Sequence, residues 1–358
     1  MQNRKRTPRQ GFILIVLAVL AVTLIGMIGL AADVGRALVV RNELIAFADA
    51  AAMAAAYELD GTAAGITSSN SVASTGPGTN RWHFGTQTVS TSQVTFASSF
   101  GGNFKAAGSA PADSRFVRVQ VSGVLPLYFL RVIPGIPATV EIQARATAGQ
   151  GVVNSPAAGL DPFSPDAVSP ADLANFGYTE GSEYDIKWAP NGQRNKPGGK
   201  CQGDIDANID PGGGASDRGY INLGQGNGNS DLFNGIVNND FGSAPVNLTL
   251  GTAINTVNGN KNVGPALSAR MAQDTDQSSA NGSAYHGNGR RILVLAVNDR
   301  SAAGLVIGYA AFLLPVSTPC LTNNNKACCA IYLGPAVLGG SRRGAGPPGK
   351  LYAVKLFE

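Results

Sequence analysis

Charge is scarce in this 358-residue chain: Asp, Glu, Lys and Arg together make up 14% of it, against roughly 25% in an average soluble protein. Histidine occurs only at His83 and His286, too few and too isolated to furnish a catalytic triad. Neither G-x-S-x-G nor H-E-x-x-H is present, so the common hydrolase signatures are missing. The four cysteines include no C-x-x-C pair, which removes the usual half-site for zinc. No basic stripe with interleaved aromatics occurs, and the net charge of +4 comes largely from Arg4, Lys5, Arg6 and Arg9. Nothing therefore points to nucleic acid. Neither catalysis nor a cofactor is expected, and the reading turns to structure.

What the chain has instead is one long apolar run. The 21 residues Phe12–Ala32 carry no charge. As a helix rising about 1.5 Å per residue they span roughly 31 Å, close to the roughly 30 Å hydrocarbon core of a bilayer. Lipid cannot satisfy exposed backbone groups, so a helix is the natural form. The basic tail before it holds no acid. By the positive-inside rule this keeps the N-terminus cytoplasmic and exports the chain after Asp33. A cleaved signal peptide is the alternative, but its apolar region ordinarily covers about 7–15 residues. The expected layout is a cytoplasmic tail (1–11), a transmembrane helix (12–32) and an exported body.

From Asp33 to Tyr57 proline is absent and glycine occurs only at Gly35, while eight of the eleven residues Ala46–Ala56 are alanine. Alanine and leucine favour helix, so the helix is expected to continue over 33–60 and to end at Asp60-Gly61. Leu38, Arg41, Leu44, Ile45, Ala48, Ala52 and Ala55 recur at spacings of three and four and form one stripe. Small side chains let another backbone approach closely. That partner is either a second helix, a second copy of the chain included, or the chain's own sheet. Asp33, Gly35, Arg36, Ala48, Asp49, Ala52 and Ala55 are the candidate helix-interface residues.

In order and spacing, Arg9-Gln10-Gly11, the apolar span, Asp33-Val34-Gly35-Arg36 and Ala48-Asp49-Ala50-Ala51-Ala52-Met53-Ala54-Ala55 resemble the N-terminal domain of Tad proteins. These are the TadE/TadG-like components of Flp (tight-adherence) pilus assembly. Their pattern is R-Q-x-G, a hydrophobic span, D-x-G-R and A-D-A-A-A-L-A-A-A. The resemblance covers residues 9–57. It implies a non-enzymatic bitopic protein of the bacterial inner membrane with a periplasmic or external C-terminal region. Implied partners are the membrane and other pilus-assembly proteins or pilus subunits. Gln10-Gly11-Phe12 also resembles the processing site of type IV pilins. Those subunits usually carry a glutamate five residues into the mature chain, and Val16 stands there, which counts against a processed subunit. A minor pseudopilin in the fibre and an exported adhesin or carbohydrate-binding protein are the alternatives.

The remainder reads as α+β: the long N-terminal transmembrane and exported helix, then one or two mainly antiparallel β-rich domains. Residues 61–80 look like a loop. A small sheet packed on the helix is expected over 81–150, with strands at Thr88–Ser98, Arg115–Gly123 and Ala138–Ala148, and with the apolar, aromatic-bearing Leu125–Val132 among them. The Pro-, Gly-, Asp- and Ser-rich residues 151–200 read as a linker. Residues 201–358 read as a Gly/Asn-rich β domain with strands Arg291–Val297, Leu305–Leu314, Ala327–Leu333 and Leu351–Phe357. A short helix is expected over Leu232–Val237, capped by Ser230.

In an exported body Cys201, Cys320, Cys328 and Cys329 can form disulfides, and their three pairings stay open. Asp204, Asp206, Asn208 and Asp210 alternate as calcium ligands can, but Ile209 and Ala215 stand where an EF-hand loop needs glycine and glutamate. An exposed strand explains them equally well. Gly344–Lys350 fits G-x-x-x-x-G-K, yet Leu351 replaces the magnesium-binding Ser or Thr and two prolines remove amides from the cradle. It reads as a hairpin loop.

Overall fold

The computed structural model describes residues 10–357 except 77–80, 83–86, 133–134, 155, 157–158, 188–200, 202–216, 240, 242–245, 259–260, 302, 323–326 and 341. Its first element is a single unbroken helix, α1, Gln10–Tyr57, of 48 residues. At 1.5 Å per residue it is about 72 Å long. Its first half is almost bare: the most apolar 18-residue window has a mean hydropathy of 3.0 and is 6% buried. Its second half is packed. Val40, Leu44, Ala48, Ala51, Ala52, Ala55 and Ala56 are all buried, as is Leu59 just beyond its end.

Helix α2, Ala63–Thr75, lies where the sequence suggested a loop. Its residues are small and polar, with weak helix propensity. Two local devices compensate. The Thr62 hydroxyl accepts from the Gly65 N–H (3.1 Å), and the Asp60 carboxylate accepts from the Thr62 N–H (2.9 Å) and hydroxyl (2.6 Å). Ile66, Ser69 and Ala73 are buried, and the Ser69 hydroxyl donates to the Ala55 carbonyl (2.7 Å).

After a short pair, β1 (Arg81–Trp82) with β2 (Gln87–Thr88), comes the main sheet. It is built from β3 (Ser90–Ala97), β4 (Phe116–Pro126) and β5 (Thr139–Val153). Along β4, Val117, Val119, Val121 and Leu125 alternate inward, as a half-covered strand demands. They pack with Phe96, Ala144, Ala146 and Ala148 against the alanine face of α1. The buried Gln150 amide donates to the Ala56 (3.0 Å) and Leu59 (2.6 Å) carbonyls, answering acceptors left open at the helix end.

Residues 160–187 fell in the stretch expected to be a linker, but they are packed. Phe163, Ala167, Phe176, Tyr178, Tyr184 and Ile186 lie in a hydrophobic core, and β6 (Glu183–Asp185) pairs with a later strand. That core lies on one face of a second, antiparallel sheet. Its order is β6-β11-β10-β9, with β9 Ile292–Asn298, β10 Val306–Leu313 and β11 Cys329–Gly334. Apart from Asn298 at the end of β9, the three later strands carry no polar side chain but the Tyr hydroxyls and Cys329, because both their faces are covered. Leu293, Leu295 and Val297 face the aromatic cluster, while Ile292, Val294 and Ala296 face the other core. A small pair, β7 (Asp217–Ile221) with β8 (Thr256–Asn258), and helices α3 (Asn229–Asn238) and α4 (Gly264–Ala272) surround this sheet. Helix α3 is capped at Gly228, with Asp231 accepting from the Gly228 N–H (2.8 Å); Ser230 is already inside the helix.

Strand β13, Leu351–Phe357, was expected in the second domain. It instead runs antiparallel beside β5 along its full length, in a five-stranded sheet ordered β12-β13-β5-β4-β3, where β12 is Ala336–Leu338. Because β12 and β13 are parallel, Gly344–Lys350 is not a hairpin loop but part of a crossover. Its Ala345 N–H donates to the Gln150 side chain (2.8 Å).

Two disulfides join Cys201 to Cys329 and Cys320 to Cys328.

Candidate functional site

The residues singled out on α1 divide into a junction and a packing row. At the junction Asp33 is buried, and its carboxylate accepts from the N–H groups of Tyr128 (3.1 Å), Phe129 (2.9 Å) and Leu130 (2.8 Å). These amides belong to the β4–β5 connection, which ends its first part in a single 3-10 turn, Leu130–Val132. Arg36, one turn further along α1, donates to the Pro126 carbonyl (3.1 Å), lies 3.5 Å from Asp33, and holds its guanidinium 4.0 Å from the Tyr128 ring centroid. Burial opposes ionisation of Asp33. The Leu130, Tyr128 and Phe129 amides and the Arg36 charge outweigh it and hold the carboxyl below its ordinary value.

Asp33→Ala should therefore release this connection. Charge-assisted hydrogen bonds of this kind contribute about 2–3 kcal/mol, so amide exchange at 128–130 should speed up roughly 30- to 150-fold. Hydrogen-exchange mass spectrometry of the peptide covering them is the check. Since the folded value lies below the unfolded 3.8, the contribution is complete at neutral pH. It fades only as pH falls below 3.8 and through the lowered folded value.

Gly35 is exposed, and a Cβ there would meet nothing within 4 Å. Ala48, Ala52 and Ala55 are wholly buried against the chain's own sheet. Asp49 is half-buried, and burial raises its carboxyl above the ordinary value. The stripe drawn from spacing is thus split: Leu38, Arg41 and Ile45 face outward, and Val40, Ala51 and Ala56 join the buried row. The alanines of the inward row admit the sheet closely, and on the opposite side Val34, Leu38, Ile45 and Met53 stand exposed.

The calcium candidates Asp204, Asp206, Asn208 and Asp210, the basic tail and His83 lie outside the described residues. Among the described residues no group of three or more His, Cys, Asp or Glu is placed to hold a metal ion. A cleft of about 500 Å³ lies where the end of α1 meets the second sheet, lined by Asp60, Glu180, His286, Arg342 and Arg343 among others. Its cations are engaged in joining the two parts. Arg342 binds Glu58 (2.8 Å) and approaches Asp60 (4.0 Å), while Arg343 pairs with Glu180 and donates to the Asp60 (2.9 Å) and Leu333 (3.2 Å) carbonyls. The geometry is that of a clamp.

Sequence reasoning missed the partners of the junction. Leu125–Val132 stood out as apolar and aromatic, but nothing in the pattern tied it to Asp33, 95 to 97 residues away.

No curated protein and no solved structure matches the chain. A family model described as putative Flp pilus-assembly TadE/G-like matches residues 11–58. That range coincides with α1, so the chain carries a Tad domain at its N-terminal end, as the helix whose second half is built into an α+β body.

Proposed function

We propose that the protein is a non-enzymatic, single-pass anchor or scaffold of a Tad/Flp-type pilus assembly apparatus in the bacterial inner membrane. Its N-terminus is cytoplasmic and its body periplasmic or extracellular. The observation that carries this reading is the continuity of α1: one helix is bare and apolar over its first half and locked into a sheet over its second. Such a helix transmits position from membrane to body without a hinge. The disulfides suit an oxidising compartment. The exposed row Val34, Leu38, Ile45 and Met53 is available to membrane or pilus partners of the same apparatus.

The test is complementation of a deletion strain in the native host. The full chain should restore surface pili and fractionate with the membrane, keeping Arg4–Arg9 in its mature N-terminal peptide. A version exported by a cleavable signal in place of residues 1–32 should be made but should not restore pili. A mature chain beginning at Phe12 and recovered in sheared fibres would replace this reading with a minor pseudopilin. Normal piliation in the deletion strain would favour an adhesin.

A further inference from the structure

Among the described residues 13–32, Gly29 alone is buried. What covers it is Phe129: a Cβ on Gly29 would come within 2.5 Å of the Phe129 Cβ. Gly29 lies three residues inside the charge-free run that ends at Ala32, or about 5 Å along the helix axis. The Asp33 carboxylate pins the neighbouring backbone in place through three amides. If α1 spans a bilayer with Phe12–Ala32 in its core, Phe129 cannot stay in water.

The side chains around it have the matching chemistry. Tyr128 (52%), Phe129 (47%), Ile136 (41%) and Val124 (54%) are large apolar groups exposed at this end of the sheet. Arg131 is exposed beside them, a cation within reach of lipid phosphates. Tyrosine and phenylalanine with flanking arginine suit the boundary between headgroups and acyl chains. The adjoining Val140 is also exposed (37%), although its cross-strand partner Leu125 is fully buried. On a body surrounded only by water this cluster would be a liability.

We propose that the β4–β5 connection is a second membrane contact. Phe129, Tyr128 and Ile136 insert beside α1 into the exported-side leaflet, with lipid as the occupant. The body is then held at two points, which fixes its tilt and its rotation about the helix. This rests on the reading of α1 as a membrane span, and the experiment separates the two.

The full chain is reconstituted into vesicles of phosphatidylethanolamine and phosphatidylglycerol whose acyl chains carry bromine at a shallow or a deep position. Single tryptophans are added as Phe129→Trp, Ile136→Trp, Leu30→Trp and Leu173→Trp. Each spectrum is read as the difference from the parent, which shares Trp82 and Trp188. Leu30 faces outward on α1 and Leu173 is exposed on the body, so they report lipid and water. Positions 129 and 136 should show blue-shifted emission and lose intensity with shallow bromine as strongly as position 30, while position 173 should not. Quenching at 30 without quenching at 129 or 136 overturns the second contact and leaves the span intact. Absence of quenching at all four positions overturns both. Each substituted residue is at least partly exposed, and two independent positions guard against a local disturbance at either.

Discussion

Replacing Cys201 and Cys329 together by serine should lower the unfolding free energy of the oxidised protein by about 5 kcal/mol, by the chain-entropy argument for a loop of this length. The bridge closes 128 residues of chain, and both cysteines are buried, at 1% and 5% exposure. It fastens residue 201 to β11, a central strand of the second sheet. The Cys320–Cys328 bridge closes only eight and should be worth roughly half as much. Guanidinium unfolding of the detergent-solubilised chain, for each double serine variant and for the fully reduced parent, would rank them. If the short bridge proved to matter as much as the long one, loop closure would not be the governing effect.

The second large effect concerns the buried pair Asp161 and Arg270. Arg270 donates to the Asp161 carboxylate and to the carbonyls of Ile236 (2.8 Å), Ile292 (2.9 Å) and Arg290 (2.7 Å), while Asp161 also accepts from the Val294 N–H (2.9 Å). Together they tie α4, the end of α3, β9 and the 160–187 segment. Asp161→Ala strands a guanidinium out of water, at a cost of about 3–5 kcal/mol. Asp161→Leu with Arg270→Met removes both charges and should recover a large part of that loss, although three carbonyls lose their donor. A double variant no more stable than Asp161→Ala would show that the carbonyl contacts, rather than the orphaned charge, dominate. Thermal or denaturant unfolding of the parent and the two variants decides it.

Legibility of the fold followed periodicity. Helix α1 announced itself by apolar length and alanine content. Strands β4, β9, β10, β11 and β13 showed as alternating or continuous apolar runs. Helix α2 did not, because AAGITSSNSVAST has little intrinsic preference for helix; the Thr62 cap and burial against α1 decide it. In 160–187 the core residues come singly between prolines, glycines and aspartates, so no period marks them. Helix α4 has proline in its first turn and carries a charged residue, Arg270, on its buried side, which interrupts any apolar period. For the candidate site, the sequence picked Asp33, Arg36 and the alanines. Their partners lie across the fold, in β4, β5 and the connection between them, and local spacing carries no information about contacts that distant.

The placement of β13 bears on how the protein is made. Strand β5 lies between β4 and β13, so the sheet that α1 covers stays open on one side until residues 351–357 arrive. The helix, by contrast, is made before any strand of that sheet. The alanine face must therefore wait beside an incomplete sheet until the roughly 200 residues between β5 and β13 have been made. Contacts this far apart in the chain form slowly, and an unpaired β5 edge is open to wrong partners meanwhile. A chain interrupted anywhere before β13 would keep its long helix yet be unable to finish the sheet beside it. Formation of the helix and completion of the sheet beside it are thus separated in time, and an unpaired strand marks a chain that is still unfinished.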